Sequence, residues 1–276
     1  MADAPLVLLA AALLRVPARR IRALALGDDG ALRDWVANES ATRLAEARRD
    51  ARRALARLDA LGARVVALGS AEYPAGLRDL ADPPAFLTVL GTLPRPPWRA
   101  GTAVVGSRAA DDAAMAAARE LGATAPAPIV SGLARGVDAA AHAGALAAGA
   151  PTYAYVGYGP GATYPPEHGA LEEQIVAGGG AILSELLPDE TVTRWSLVRR
   201  DRLQAAHASA LVLVQSEAEG GAMHAVAAAL RLGRRCFAFV PRDERTYAGN
   251  ARAVADGARA LPWNMAEAVM RITSAS

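Results

Sequence analysis

A chain of 276 residues that is 53% hydrophobic and 21% charged has the material for one large core, or for a large domain beside a small one. That balance excludes a disordered chain, and a net charge of +2 confines any nucleic-acid surface to a local patch. All 30 basic residues are arginine; the lack of lysine excludes a Walker-type P-loop, a Schiff-base enzyme and a kinase, and leaves the side chain best suited to forked phosphate contacts.

The N-terminus, MADAPLVLLAAALLRVPARR, carries an apolar run. An aspartate precedes it and arginines follow it, the reverse of signal-peptide polarity, and it is too short to span a bilayer. It reads as the first helix of a soluble domain. Residues 1 to about 60 read as helical throughout; TRLAEARRDARRALARLDAL places alanine and leucine on one face and arginine on the other. A small helical domain over 1–62 is expected.

From ARVVALG the pattern becomes strand-like. SAEYPAGLRDLADPP reads as a loop and short helix, AFLTVLG as a second strand, and TLPRPPWRAG, with three prolines, as a surface connection. The runs TAVVG, APIVS, TYAYVG, AILSE, ALVLVQ and RCFAFV then alternate with alanine-rich segments such as AADDAAMAAARELGA and AVAAALRLG. Short, continuously apolar strands separated by helices predict an α/β fold: a mainly parallel, doubly wound, Rossmann-like sheet over about 64–262, in a domain running from 63 to 276. Cys236 sits inside CFAFV as a core residue, no disulfide can form within the chain, and a reducing cytoplasm fits. The four histidines lack metal-ligand spacing, so no metal site is expected.

Ligands of such a sheet bind beyond the carboxyl ends of the strands. There the chain reads VVGSR, IVSGLARG, YVGYGPG, ILSE and, after ALVLVQ, SEAEGGAMH. Small residues recurring at one sheet edge let backbone N–H groups approach an anion, and the helix N-termini that follow favour it. A dinucleotide bound in the usual mode is not expected. The first turn has only Gly106 in place of G-x-G-x-x-G, and the second strand ends in Ser131-Gly132 in place of an acid, so no cofactor is expected. Arg108 follows the first glycine, Arg135 lies in SGLARGVDAAAH, and TRWSLVRRDRL holds Arg194, Arg199, Arg200 and Arg202 against one acid, Asp201. On a helix Arg199 and Arg202 share a face. This cluster is either a solvated helix face or a track for a sugar–phosphate backbone.

No catalytic set emerges. Asp138, Glu167 and Glu185 could gather near the cleft, with Ser107, Ser131 and Ser184 as hydroxyls, but Asp138 fits a helix cap or an arginine partner better. His142, four residues after Asp138, would share its helix face; His224 and Glu219 have no evident partner, and G-x-S-x-G is absent.

The motifs AVVGSR, IVSGLARGVDAAAHAGAL, YPPEH, AILSE, RRDRLQAAHASALVLVQ and GNARAVADGA, in this order, resemble the DNA-processing protein DprA (Smf) family, and LGARVVALGSAEYPAGLRDLADPPAFLTVLG resembles the segment preceding its core. The resemblance covers about residues 60–262 well and the first 60 loosely. It implies an extended Rossmann fold after a SAM-like or helix-hairpin-helix-like domain, and a non-enzymatic homodimer. It implies further that the protein binds and protects single-stranded DNA in a basic cleft and passes it to the RecA recombinase during natural transformation. No membrane association follows. Carried over, Gly106, Ser107 and Arg108 form the first DNA-contacting turn, Ser131, Gly132, Arg135 and Gly136 the second loop, and Arg199, Arg200 and Arg202 the basic helix start. Asp138, Gly157, Gly159, Glu185, Gly220 and Gly221 are further candidates for the cleft.

The chain departs from the pattern at several points. Asp201 stands where R-R-N-R has asparagine, EGGAMHAV replaces S-G-S-L-I-T-A, PRD (Pro241 to Asp243) replaces PG, and VPARRIR replaces a glycine-containing hairpin. No C-terminal winged helix is expected, and the departures make a diverged member the expectation. The alternative is a nucleotide-binding sensor or nucleotide-processing enzyme of the same superfamily, for which the G-G turn of EGGAMH is an incomplete match.

Overall fold

The computed structural model describes residues 4–28, 30, 33–94, 101–126 and 128–274; most of the proline-rich connection, and Ala127 of the expected strand APIVS, lie outside the described residues. Four helices come first: α1 (Ala4–Leu13), α2 (Ala18–Ala25), α3 (Arg33–Ala37) and α4 (Ala41–Ala60). The Ser40 side chain caps α4 by accepting the Arg43 N–H. Leu8 and Leu9 of α1 and Ala47, Ala51 and Leu58 of α4 share one core with Ala63 and Phe86 from the first two strands. Arg57 donates hydrogen bonds of 2.8 and 2.9 Å to Asp189, tying α4 to the loop after the sixth strand.

The strands are β1 (Ala63–Ala67), β2 (Phe86–Gly91), β3 (Thr102–Val105), β4 (Ile129–Ser131), β5 (Thr152–Tyr155), β6 (Ala181–Ser184), β7 (Ala210–Leu213), β8 (Arg235–Phe239) and β9 (Arg259–Leu261). They form one sheet in the order β1-β2-β6-β5-β4-β3-β7-β8-β9. Only β2 is reversed, antiparallel to β1 and β6. Helices α5 (Asp112–Thr124), α6 (Val137–Ala147), α7 (Gly169–Ala177), α8 (Arg194–His207), α9 (Ala222–Arg231), α10 (Ala248–Ala255) and α11 (Met265–Ser274) cover it. Successive strand residues serve opposite faces. Val105, Leu211 and Leu213 pack with Leu203, Ala206 and Val226 of α8 and α9. Val104 and Val212 pack with Ala118, Leu121, Ala141 and Ile272 of α5, α6 and α11. Burial on both faces is why these strands read as continuous apolar runs.

The extended Rossmann-like sheet expected from the sequence is thus present. Sequence reading missed β9, whose first two residues are exposed. It also could not give the direction of β2, which the chain reaches through a 3₁₀ turn, Ala75–Asp79. From β3 the chain builds outward to β4, β5 and β6, then returns to place β7 on the other side of β3. The switch point beyond β3 and β7 is therefore the place where a crevice opens. Cys236 is buried, and burial pushes its thiol up to about 12, so it is a core residue with no thiolate chemistry at neutral pH. No described helix is long and apolar enough to cross a membrane.

Candidate nucleic-acid interface

The first wall of the crevice is the turn Gly106–Ser107–Arg108. It is pinned from two sides: the Ser107 N–H donates to the Gln215 carbonyl (2.8 Å), and the Val137 N–H donates to the Ser107 carbonyl (3.2 Å). The Gln215 side chain accepts the Asp111 N–H (2.9 Å). Asp111 caps α5 by accepting the Ala114 N–H (2.8 Å) and also takes the Tyr247 hydroxyl (2.9 Å). In the usual dinucleotide mode this helix terminus receives the pyrophosphate. Here Asp111, followed by Asp112 in the first turn, fills it with the chain's own negative charge.

The second wall is SGLARGVDAAAH. Ser131 is buried and its hydroxyl donates to the Val104 carbonyl (2.7 Å), so it ties β4 to β3. Gly136 has φ +73°, and a Cβ there would lie 2.2 Å from the Ser107 carbonyl oxygen; only glycine lets this loop close on the first turn. A Cβ on Gly132 would lie 1.3 Å from an Arg200 guanidinium nitrogen, because that guanidinium rests on the Gly132 backbone. His142 does not join the crevice. Its Nδ1 bonds the Thr152 hydroxyl at 2.7 Å, and burial lowers its pKa to about 3, keeping the ring neutral.

The third wall is the start of α8. Thr193 and Ser196 cap it reciprocally, each side chain bonded to the other's backbone N–H at 2.9 Å, which presents Arg194 at the first helical position. Arg200, with its side chain 7% exposed, lies 3.3 Å from Asp201 and 3.7 Å from Asp138. Burial pushes both carboxyls up: Asp138 upward despite Arg200 and the Ala134 N–H, and Asp201 to about 7, raised further by Asp138 and lowered by Arg200 and Arg108. One guanidinium thus serves two buried acids.

These walls enclose a cavity of about 530 Å³, closed on the remaining side by Ser216, Glu217, Gly220, Gly221 and His224. A second cavity of about 220 Å³ adjoins it, lined by Gly132, Arg135, Gly157, Tyr158, Tyr164 and Pro165 and sharing Arg108, Leu197 and Arg200 with the first. Together they form one bilobed cleft. The N-terminus of α9 faces it with no side-chain cap and no acid in its first turn, so its polarity favours an anion.

The sequence-named residues divide by position. Gly106, Ser107, Arg108, Asp138, Arg200, Gly220 and Gly221 line the large lobe, and Gly132, Arg135 and Gly157 the small one. Ser131 is buried behind the surface and Gly136 is half-buried, both as supports outside the two linings. Gly159 packs against the Leu187 carbonyl, where a Cβ would come within 1.7 Å. Arg199 and Arg202 share a face, as the spacing predicts, but that face points to Glu185 (3.3 and 2.9 Å), with Arg202 also 3.4 Å from Asp82. Neither they nor Glu185 line the cleft. Arg135 pairs with the exposed Glu167 at the cleft's edge. By contrast, Arg108 and Arg194 are exposed cleft residues with no ion pair among the described residues.

Leu197, Val198 and Gln204 were not singled out from sequence; with Arg194 and Asp201 they recur at helical spacing, which is the signal that marks them as one face. Asn250 was hidden in GNARAVADGA. Fully buried, it accepts the Ser216 N–H (2.9 Å) and donates to the Val214 and Phe239 carbonyls (3.0 and 3.1 Å), fixing the loop after β7. Asn250→Ala orphans these groups and is expected to cost about 2–3 kcal/mol of stability in chemical denaturation. A loss well below 1 kcal/mol would contradict the role. Arg202→Ala, with Arg199 still beside Glu185, is expected to cost about 1–3 kcal/mol of stability in chemical denaturation.

A nine-stranded doubly wound sheet with an arginine-bearing, bilobed cleft at its switch point defines an extended Rossmann-like protein. The chain belongs to the DNA recombination-mediator protein A (DprA/Smf) family, whose model matches residues 64–273. It is 32% identical to Protein Smf of Escherichia coli over 170 residues, covering 60% of this chain and 45% of that protein. It is 31% identical to DNA processing protein DprA of Streptococcus pneumoniae over 169 residues, covering 60% of this chain and 59% of that one. The chain therefore spans about half the length of the curated relatives it matches. The crystal structure of the Streptococcus pneumoniae protein shares the fold with a TM-score of 0.69 and 24% identity, over 87% of this chain and 83% of that one. DNA processing protein A of Helicobacter pylori, solved to describe its single-stranded DNA binding mode, shares it with a TM-score of 0.63 and 24% identity, over 76% of this chain and 95% of that one.

Proposed function

We propose that this protein is a non-enzymatic recombination mediator that holds single-stranded DNA along the bilobed cleft and delivers it to a RecA-type recombinase, acting as a homodimer in the cytoplasm. The observation that carries the reading is the pair of exposed arginines, Arg108 and Arg194, reaching the cleft from two different elements with no direct ion pair among the described residues. Phosphates take these guanidinium groups and the uncapped end of α9; base identity goes mostly unread. Arg200, which sequence reading counts among the phosphate binders, acts in this account with Asp138 and Asp201 as the cleft floor. A salt series with fluorescent oligo-dT tests the reading: tight binding with little sequence preference, steeply weakened by salt, supports it. Recombinase loading is tested separately, by filament assembly on the bound strand.

The cavity of about 530 Å³ also has the size of a small-molecule site, which favours the second reading, a nucleotide sensor. Thermal shifts with nucleoside monophosphates and cyclic nucleotides separate the two. A specific shift without oligonucleotide binding would select the sensor.

A further inference from the structure

We infer that Trp195 is a stacking platform for a nucleobase of the strand where it leaves the cleft, an inference that rests on the single-strand reading above. Trp195 is 65% exposed on the first turn of α8, although an indole carries one of the largest apolar surfaces a residue can offer. Its position is held from one side: the Arg199 guanidinium lies over the ring, 4.8 Å from its centroid, and Arg199 is in turn held by Glu185 at 3.3 Å. Glu185 is itself anchored by Arg202 at 2.9 Å, so the support beneath the ring is a fixed ion-pair network. With one face so braced, the ring offers its other face to a planar group.

The neighbours say which planar group. Arg194, the preceding residue, and Val198, one turn on, both line the cleft, so a strand that runs out past them reaches Trp195 next. Arg194 and Arg199 make this shoulder basic, which suits a polyanion. A free arginine beside a braced aromatic ring reproduces the alternation of phosphate contact and base stacking that non-specific single-strand binders use. The network at Arg199, Arg202 and Glu185, which lies off the cleft, thereby acquires a part in binding: it orients the ring.

The test compares wild-type protein, Trp195→Ala and Trp195→Phe on oligo-dT and on an oligonucleotide of equal length with abasic sites. Loss of one stacked base predicts roughly five- to hundredfold weaker oligo-dT binding by Trp195→Ala, largely recovered in Trp195→Phe. No difference is expected among the three proteins on the abasic strand. Tryptophan fluorescence of the wild type is quenched on binding, and this quench is missing from Trp195→Phe although it binds. Wild-type affinity in Trp195→Ala, or an equal loss on both oligonucleotides, overturns the inference while leaving the cleft reading intact. If Trp195→Ala instead disrupts self-association with oligo-dT affinity unchanged, the ring belongs to a protein interface and the inference is likewise overturned. A wild-type protein that binds neither oligonucleotide removes the cleft reading and the platform together.

Discussion

Reversing Arg108 and Arg194 to glutamate together is expected to weaken oligo-dT binding by about a hundredfold or more at moderate salt and to flatten its salt dependence. Each phosphate neutralised on a single strand contributes about 0.7 to the slope of log affinity against log salt, so losing two contacts lowers it by about 1.4. Both side chains are exposed and make no ion pair among the described residues, so the double variant should stay folded, with Asp201 pushed further up by the loss of Arg108. Fluorescence anisotropy over a salt series gives affinity and slope at once. An unchanged slope would mean that these arginines do not meet phosphate, whatever the change in affinity.

The second large effect concerns Arg200. Replacing it with methionine leaves Asp138 and Asp201 buried without their cation, and breaking such a pair costs about 3–5 kcal/mol at pH 8. The cost should shrink on acidification, because both carboxyls can then take up protons. The wild-type protein carries a milder form of the same dependence. Asp201 has its pKa raised from 3.8 to about 7, so the folded state binds more protons than the unfolded one between those values. Its contribution to stability is complete below 3.8 and is lost as pH rises through about 7. Denaturation across pH 5–8 should show wild-type stability falling relative to Asp201→Asn. A phosphate placed near Asp201 favours its protonated form still more, so oligonucleotide binding should take up protons. Affinity should fall between pH 6 and 8 in the wild type and much less in Asp201→Asn. Parallel pH curves for the two proteins would show that Asp201 does not titrate across this range.

What could be read from the sequence follows the range of the interactions involved. The strands were legible because each is an apolar run buried on both faces, and their common edge because small residues end β3, β4, β5 and β7. β9 was not, since three residues with two exposed carry no pattern. The arginines show the limit most clearly. In RRDRL, Arg199, Arg200 and Arg202 are chemically alike, and only the fold distributes them, Arg200 to Asp138 and the other two to Glu185. Their acids come from α6 and from the end of β6, far away along the chain, so no local window separates a paired arginine from a free one. Asp201, which reads as a negative charge among phosphate binders, is a buried acid raised to about 7. Likewise, Gly132 and Gly136 read as room for a ligand. In the fold they make room for the Arg200 guanidinium and the Ser107 carbonyl.

Hydrogen exchange of the protein with and without a saturating oligo-dT tests the central claim most directly, because it locates the strand on the molecule. The account predicts slowed exchange in the turn 106–110, the loop 132–136, the first turns of α8 and the start of α9, with α10 and α11 unaffected. Protection confined to the N-terminal helices or to the β9 edge, with these four segments unchanged, would contradict it.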